Sequence, residues 1–206
     1  MVTITVFFEG GVHPNSNPNE ETIDNTSNLR ESFNKLFNSG LENENVRIVA
    51  KPAYSITNIV RIRKPDSILL MDLDAPKEQK QKRLTDNNLI EIQEFVFFMV
   101  QRMEAWILSQ PEVIEDVFKH LKVGNSQIKD DNQIKDKHPE NLVNPESILN
   151  TILQRNFINK KAGIKKNLKY GKLKHSPDLI AKLDIEKLKV TFEDVRLLME
   201  KINQYV

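Results

Sequence analysis

Three acidic side chains, Glu9, Asp72 and Asp74, stand where strand-like segments of the sequence end. Glu9 follows the β-branched and aromatic run Val2 to Phe8 and precedes two glycines, which permit a sharp turn. Asp72 and Asp74 follow the apolar segment Ser67 to Met71. Carboxylate oxygens suit Mg²⁺ and Mn²⁺, and carboxylates held close together repel each other until a cation relieves them. The pattern therefore predicts a divalent-metal site built on Glu9, Asp72 and Asp74, with Glu9 as a ligand or as a general acid/base. The alternative is that these residues form solvated turns at the strand ends.

The segments that must position these residues alternate between strand and helix patterns. The strand pattern of Val2 to Phe8 is followed by a helix pattern over Asn28 to Ser39 and a short strand over Val46 to Ala50. A second helix pattern covers Ala53 to Arg63, and Ser67 to Met71 is typical of a strand buried on both faces. This alternation predicts βαβ units and a parallel sheet, in which ligands gather at the carboxyl ends of the strands.

Two further features bear on the predicted site. In an extended strand, residues i and i+2 face the same way, so we expect Asp72 and Asp74 to point at one place. Phe95 to Val100 predicts another buried strand, and the helix pattern after it places Glu104 beside apolar residues. Glu104 is either a solvent-facing helix residue or a carboxylate turned towards the metal site. We expect Trp106, the only tryptophan, to belong to the core rather than to a base-stacking surface.

The second half of the chain is first polar, then helical and basic. We divide the chain into an α/β core over residues 1–123, a polar linker or insertion over residues 124–141, and a helical, basic C-terminal part over residues 142–206 that packs on the core. Residues 151–177 contain no acidic residue but many basic ones: Arg155, Lys160, Lys161, Lys165, Lys166, Lys169, Lys172, Lys174 and His175. Such a run is either a solvated face or a clamp on a phosphate backbone.

The composition is that of a globular protein, with 39% hydrophobic and 29% charged residues and a net charge of +1. The absence of cysteine excludes disulfides and thiol nucleophiles, and it fits a reducing compartment. The longest apolar run, Phe95 to Val100, is far shorter than the roughly 20 residues of a membrane span, and the N-terminus lacks a signal-peptide layout. We therefore expect a cytoplasmic protein with no membrane association.

Several segments resemble a known family. A strand ending in Glu9-Gly10 and an apolar strand ending in Asp72-Leu73-Asp74 resemble the TOPRIM fold, which topoisomerases, primases and overcoming-lysogenization-defect nucleases share. A larger set of segments is similar to a bacterial TOPRIM-like family of unknown function, often encoded beside AAA-type ATPases: Phe7 to Gly11, Leu69 to Asp72, Phe98 to Trp106 and Gly171 to Ser176. The resemblance implies a TOPRIM-like, parallel-centred sheet flanked by helices, with a helical C-terminal part.

The same resemblance implies phosphodiester chemistry that depends on Mg²⁺ or Mn²⁺. Glu9 would act as the general acid/base, and Asp72 and Asp74 would be catalytic metal ligands. Glu104 would be an added ligand or a supporting carboxylate. Lys172, Lys174 and His175, the basic residues within the similar segment, would hold the backbone of DNA or RNA.

The expected function is therefore a nuclease that serves as the effector of an ATPase-controlled anti-phage defence system. No phosphate-cradling glycine loop is present, so ATP hydrolysis would come from an AAA-type partner. One alternative is a non-catalytic regulatory or toxin subunit that docks on the ATPase, and another is a small-molecule phosphohydrolase. The sequence leaves the oligomeric state open, and a homo-oligomer is compatible with each of these functions.

Overall fold

The computed structural model describes residues 2–9, 20–42, 46–53, 67–161 and 164–205. Within these ranges, the strands β1 (Val2–Glu9), β2 (Val46–Ala53), β3 (Ser67–Asp72) and β4 (Val96–Met99) form one parallel sheet in the order β2-β1-β3-β4. This sheet and the helices around it confirm the predicted α/β class. Strand β2 continues to Ala53, where a helix was predicted to begin, and the rest of that predicted helix lies outside the described residues.

Helix α1 (Glu20–Ser39) packs against β2 and covers one face of the sheet. Its apolar residues recur three or four positions apart and are buried: Leu29, Phe33, Leu36 and Phe37. Two asparagines of the same helix bond to β2, the edge strand of the sheet. Asn34 Oδ1 accepts from Ala50 N at 2.6 Å, and Asn38 Oδ1 accepts from Ile48 N at 3.0 Å. These amides satisfy backbone groups that an edge strand would otherwise present to other chains.

The sheet separates two apolar clusters. Alternate residues of a strand face opposite sides, so Leu70 belongs to the larger cluster while Leu69 and Met71 belong to the smaller one. The larger cluster joins β1 and α1 to the C-terminal helices and contains Trp106, which is fully buried as predicted. The smaller cluster lies over β3 and β4 and is closed by Leu84 of helix α2 (Lys80–Asp86).

The C-terminal half is helical, as predicted, and also contains a hairpin that the sequence pattern did not indicate. Its helices are α3 (Met103–Leu108), α4 (Pro111–Val117), α5 (Pro145–Asn156), α6 (Lys172–Ile180), α7 (Ile185–Thr191) and α8 (Glu193–Asn203). Between α5 and α6, strands β5 (Ile158–Lys161) and β6 (Ile164–Asn167) pair antiparallel.

Residues 124–141, predicted to be a polar linker or insertion, contain short 3₁₀ turns and contribute to the core. Ile128 and Ile134 are buried in the larger apolar cluster, and Asp131 Oδ2 lies 2.8 Å from Arg155 Nη1 of helix α5. The two apolar side chains are therefore the anchors of this otherwise polar segment. Among the described residues, no helix has the length and apolar character needed to cross a membrane.

Candidate active site

Glu9 and Asp72 lie at the carboxyl ends of neighbouring parallel strands. Glu9 is the last residue of β1 and Asp72 the last of β3, and Phe8 lies opposite Leu70 in the register of these strands. The alternation of a strand places Asp72 on the face of Leu70 and Glu9 on the opposite face. The two carboxylates therefore flank the rim of the sheet from its two sides.

Asp72 is buried, with 7% of its surface exposed, and both of its oxygens have partners. Its Oδ1 accepts from the backbone nitrogen of Met103 at 3.1 Å, and its Oδ2 accepts from Lys172 Nζ at 3.2 Å. Burial raises the pKa of Asp72, and the ammonium of Lys172 only partly offsets that rise. The carboxylate at the end of β3 is thus held in a position where negative charge is costly.

Glu9 has one oxygen near a cation and one without a partner. Its Oε1 lies 3.6 Å from Arg83 Nη2 of helix α2, while its Oε2 is buried with no hydrogen-bond partner among the described residues. Burial raises the pKa of Glu9, and the negative charges of Asp72 and Asp74 raise it further against the effect of Arg83. Glu9 therefore senses the charge of both aspartates.

Glu104 is fully buried, which excludes the solvent-facing alternative for this residue. Its Oε1 accepts a hydrogen bond of 3.0 Å from the hydroxyl of Tyr170, and that hydroxyl also bonds to Ser176 Oγ. Its Oε2 is buried without a partner in the described part of the chain. Burial raises the pKa of Glu104, and the charge of Asp72 adds to the rise although Lys172 opposes it. Glu104 thus belongs to the same electrostatic group as Asp72.

Asp74 does not point with Asp72, contrary to the sequence-based expectation. Strand β3 ends at Asp72, and Asp74 adopts a left-handed backbone conformation with φ of 55°, so the extended geometry that would align the two side chains does not continue. The Asp74 carboxylate pairs with Arg102, whose Nη1 also donates to Glu146 Oε2 at 3.0 Å. Asp74 therefore lies on the rim of the site, 44% exposed.

The three predicted nucleic-acid contacts separate in the structure. Lys172, at the start of α6, bonds to Asp72, and the nearby carboxylates raise its pKa although burial opposes this. His175 Nδ1 accepts from the backbone nitrogen of Gly171 at 2.9 Å, and its ring packs edge-on against Phe118. Burial lowers the pKa of His175, which favours its neutral form. Of the three, Lys174 alone is exposed.

A wide cleft of about 1020 Å³ opens beside these carboxylates. Asp74, Arg102 and Tyr170 contribute to its lining, together with the start of helix α5 and Lys169 from the segment that follows β6. Tyr170 is hydrogen-bonded to Glu104, so the cleft reaches the buried acidic group through this side chain. A large charged ligand in the cleft would therefore have access to the rim of the site.

Asp72, Glu9 and Asp74 are not gathered around one point. Across the described residues, no three Asp, Glu or His side chains are arranged to hold a metal ion. Each predicted ligand has its own basic partner: Arg83 for Glu9, Lys172 for Asp72 and Arg102 for Asp74. Mg²⁺ is usually held by one or two carboxylates with waters and phosphates, so the donor chemistry of Asp72 and Glu9 fits this ion.

The charges around the site do not balance. Five carboxylates (Glu9, Asp72, Asp74, Glu104 and Glu146) are grouped with four basic side chains (Arg83, Arg102, Lys172 and Lys169 of the cleft). If all were ionised, the group would carry one excess negative charge, which favours the binding of a cation. The unpartnered oxygens of Glu9 and Glu104 are where this excess is least compensated.

The comparison with family models gives one match, to a domain of unknown function (DUF4276), over residues 25–202. The chain belongs to the DUF4276 family. The matched range of this DUF4276 protein contains Asp72, Asp74, Glu104 and Lys172 and begins after Glu9. No curated protein and no solved structure matches the chain. The family description names no activity, so the chemistry of the DUF4276 chain has to be inferred from its own side chains.

Sequence reasoning did not find the basic and hydroxyl groups around the carboxylates. Lys172 lies a hundred positions from Asp72, and Tyr170 lies 66 positions from Glu104. No local pattern encodes such pairs. The one available signal was the similarity of the segment Gly171 to Ser176, which contains Lys172 and Ser176 and directly follows Tyr170.

Proposed function

We propose that this protein is a TOPRIM-like nuclease that depends on Mg²⁺ or Mn²⁺ and acts as the effector of an AAA-type ATPase in anti-phage defence. The observation that carries the proposal is the surplus of negative charge at the carboxyl ends of β1 and β3, beside a wide cleft. Ligands of parallel sheets bind at this edge, and shifted pKa values are typical of sites that do chemistry. The resemblance to TOPRIM nucleases supplies the reaction.

In this proposal, Asp72 and Glu9 would hold the divalent ion from the two sides of the sheet's rim, and Asp74 would join them if Arg102 released it. The ion, when bound, would supply a Lewis acid that withdraws charge from a phosphate oxygen. Glu9 would take a proton from the attacking water, whose oxygen forms the new bond to phosphorus as the bond to the leaving oxygen breaks. The leaving oxygen would then take up a proton from solvent. Burial and the neighbouring carboxylates raise the pKa of Glu9, which makes it a stronger base than an ordinary carboxylate.

The test is cleavage of labelled DNA and RNA with Mg²⁺ or Mn²⁺, with and without the AAA-type ATPase. We expect Glu9→Gln and Asp72→Asn each to reduce cleavage by at least about a hundredfold, the usual contribution of an acid/base group. Glu91→Gln, which neutralises an exposed carboxylate outside the site, serves as the matched control and should cleave like the wild type. Full activity in both site variants would exclude the assignment.

The second candidate is a non-catalytic subunit that docks on the ATPase. The observation that favours it is that both oxygens of Asp72 already have protein partners, Met103 N and Lys172 Nζ. In that case, calorimetric titration with Mn²⁺ would give the same heat for the wild type and for Asp72→Asn. The protein would still form a complex with the ATPase. Saturable Mn²⁺ binding that is lost in Asp72→Asn would favour the nuclease.

A further inference from the structure

The hairpin of β5 and β6 presents a concentrated positive charge. All four residues of β6 are exposed, and two of them are Lys165 and Lys166. The ammonium groups of Lys165 and Lys166 are therefore presented to solvent, where an anion can reach them.

The hairpin lysines differ from other basic residues of the same stretch. Arg155 pairs with Asp131, and Lys172 pairs with Asp72. Among the described residues, no carboxylate lies within ion-pair distance of Lys165, Lys166 or Lys169. These three positive charges are therefore available to a partner.

The hairpin is fixed to the candidate active site by a short, ordered segment. Leu168 is buried, and its backbone nitrogen donates to Phe157 O at 2.9 Å, which anchors the base of the hairpin. Two residues later, Tyr170 N donates to Asn150 Oδ1 at 2.9 Å. Lys169 lines the cleft. Because a chain extends by at most about 3.6 Å per residue, the Cα atom of Lys166 lies within roughly 11 Å of the Cα atom of Lys169.

We propose that the hairpin, through Lys165 and Lys166 and continuing to Lys169, binds the sugar-phosphate backbone of a nucleic acid and leads it into the cleft. This inference rests on the proposed function in one respect, because the bound nucleic acid is taken to be the substrate. Lysine ammonium groups bind phosphates as point charges, so the surface attracts the backbone without reading the bases. The proposed backbone contacts therefore lie on the hairpin, whereas Lys172 is bonded to Asp72 and His175 to the backbone of Gly171.

The experiment measures binding in EDTA, without cleavage, by fluorescence anisotropy of a labelled DNA duplex of about 30 base pairs and the matching RNA duplex. The variant is Lys165→Gln combined with Lys166→Gln. The matched control is Lys135→Gln combined with Lys137→Gln, two exposed lysines of the segment 124–141. Each protein is titrated between about 50 and 200 mM salt.

We expect the hairpin variant to bind at least about tenfold more weakly at low salt, and the slope of log K against log salt to fall by about 2, since each phosphate contact contributes close to one. The control pair should retain the wild-type affinity and slope. Unchanged binding in the hairpin variant, an equal loss in the control pair, or no binding by the wild type would each overturn the inference.

The outcome is separable from that of the proposed function. If the hairpin variant loses binding and no condition gives metal-dependent cleavage, the nucleic-acid surface stands and the nuclease assignment fails. If the wild type cleaves and the hairpin variant binds like the wild type, the nuclease stands and this surface is wrong. Thermal melting of both double variants checks the fold, and we expect no change because the substituted side chains are exposed.

Discussion

Two aspartates are buried against the same sheet, and their surroundings differ. Asp194 of α8 is 5% exposed, its Oδ1 accepts from the backbone nitrogen of Phe98 at 3.0 Å, and its Oδ2 pairs with Lys80. Asp72 is 7% exposed and also has two partners, but it shares its surroundings with other carboxylates. Asp194 connects α8, β4 and α2, whereas Asp72 lies in a group that has more negative than positive charge.

The difference separates a structural charge from a candidate functional one. A buried charge that is fully paired and hydrogen-bonded gains no stability from an added ligand. A group of buried carboxylates with raised pKa values and unpartnered oxygens is stabilised by something added to it, such as a cation. Removing the charge of Asp194 should therefore destabilise the protein, whereas removing the charge of Asp72 should change its stability little and weaken cation binding.

The largest effect on stability is expected at Asp194. Asp194→Ala leaves Lys80 without its partner and the amide of Phe98 without an acceptor, and we expect a loss of about 3 kcal/mol in the free energy of unfolding. Asp72→Asn keeps an acceptor for Met103 N and relieves repulsion, so it should stay within about 1 kcal/mol of the wild type. Urea unfolding without divalent metal measures both. An equal loss in the two variants would remove the distinction.

The predictable part of this architecture is local. The spacing of Leu29 and Phe33 predicts the buried side of α1, and the apolar run before Asp72 predicts β3 with its acidic end. The pairing of Asp194 with Phe98, 96 positions away, follows from the packing of α8 on β4 and has no counterpart in local sequence. The left-handed backbone at Asp74 was not predicted either, because most aspartates do not adopt it although aspartate does so more often than most residues.

Lys172→Met tests whether the surplus charge attracts a divalent ion. The ammonium of Lys172 occupies the Asp72 oxygen Oδ2 and repels any other cation there. We expect its removal to tighten Mn²⁺ binding about tenfold, or about 1.4 kcal/mol, in calorimetry near pH 8. Lys174→Met removes an exposed positive charge two positions away and should change the affinity little. Weaker or equal binding in Lys172→Met would mean that Lys172 does not compete with the ion.

Glu104→Gln tests the cost of an unpartnered carboxylate by its dependence on pH. The folded-state pKa of Glu104 lies above the ordinary value of about 4.3. Its contribution to the free energy of unfolding is therefore complete below about pH 4.3 and is lost as the pH rises through the folded-state pKa. The glutamine does not titrate. The variant should therefore lose less stability than the wild type between acid and neutral pH.

At pH 7 we expect Glu104→Gln to be more stable than the wild type by about 1 kcal/mol, because the buried oxygen Oε2 then no longer carries uncompensated charge. Urea unfolding at several pH values gives the comparison, and Glu78→Gln, at an exposed carboxylate, controls for the loss of one negative charge. Parallel pH profiles for Glu104→Gln and the wild type would show that Glu104 does not titrate differently in the folded protein.

Arg102→Gln has the smallest expected effect on stability and decides whether Asp74 belongs to the site. Arg102 joins Asp74 to Glu146 at the surface, where all three side chains are more than a third exposed, so its loss should change the free energy of unfolding by less than about 0.5 kcal/mol. If Asp74 can turn to the ion that Asp72 and Glu9 hold, freeing it should tighten Mn²⁺ binding. In that case the added effect should vanish when Asp74→Asn is introduced together with Arg102→Gln. Equal tightening with and without the Asp74 carboxylate would instead reflect only the loss of the positive charge of Arg102. Asp74 would then be an exposed residue at the rim that takes no part in binding the ion.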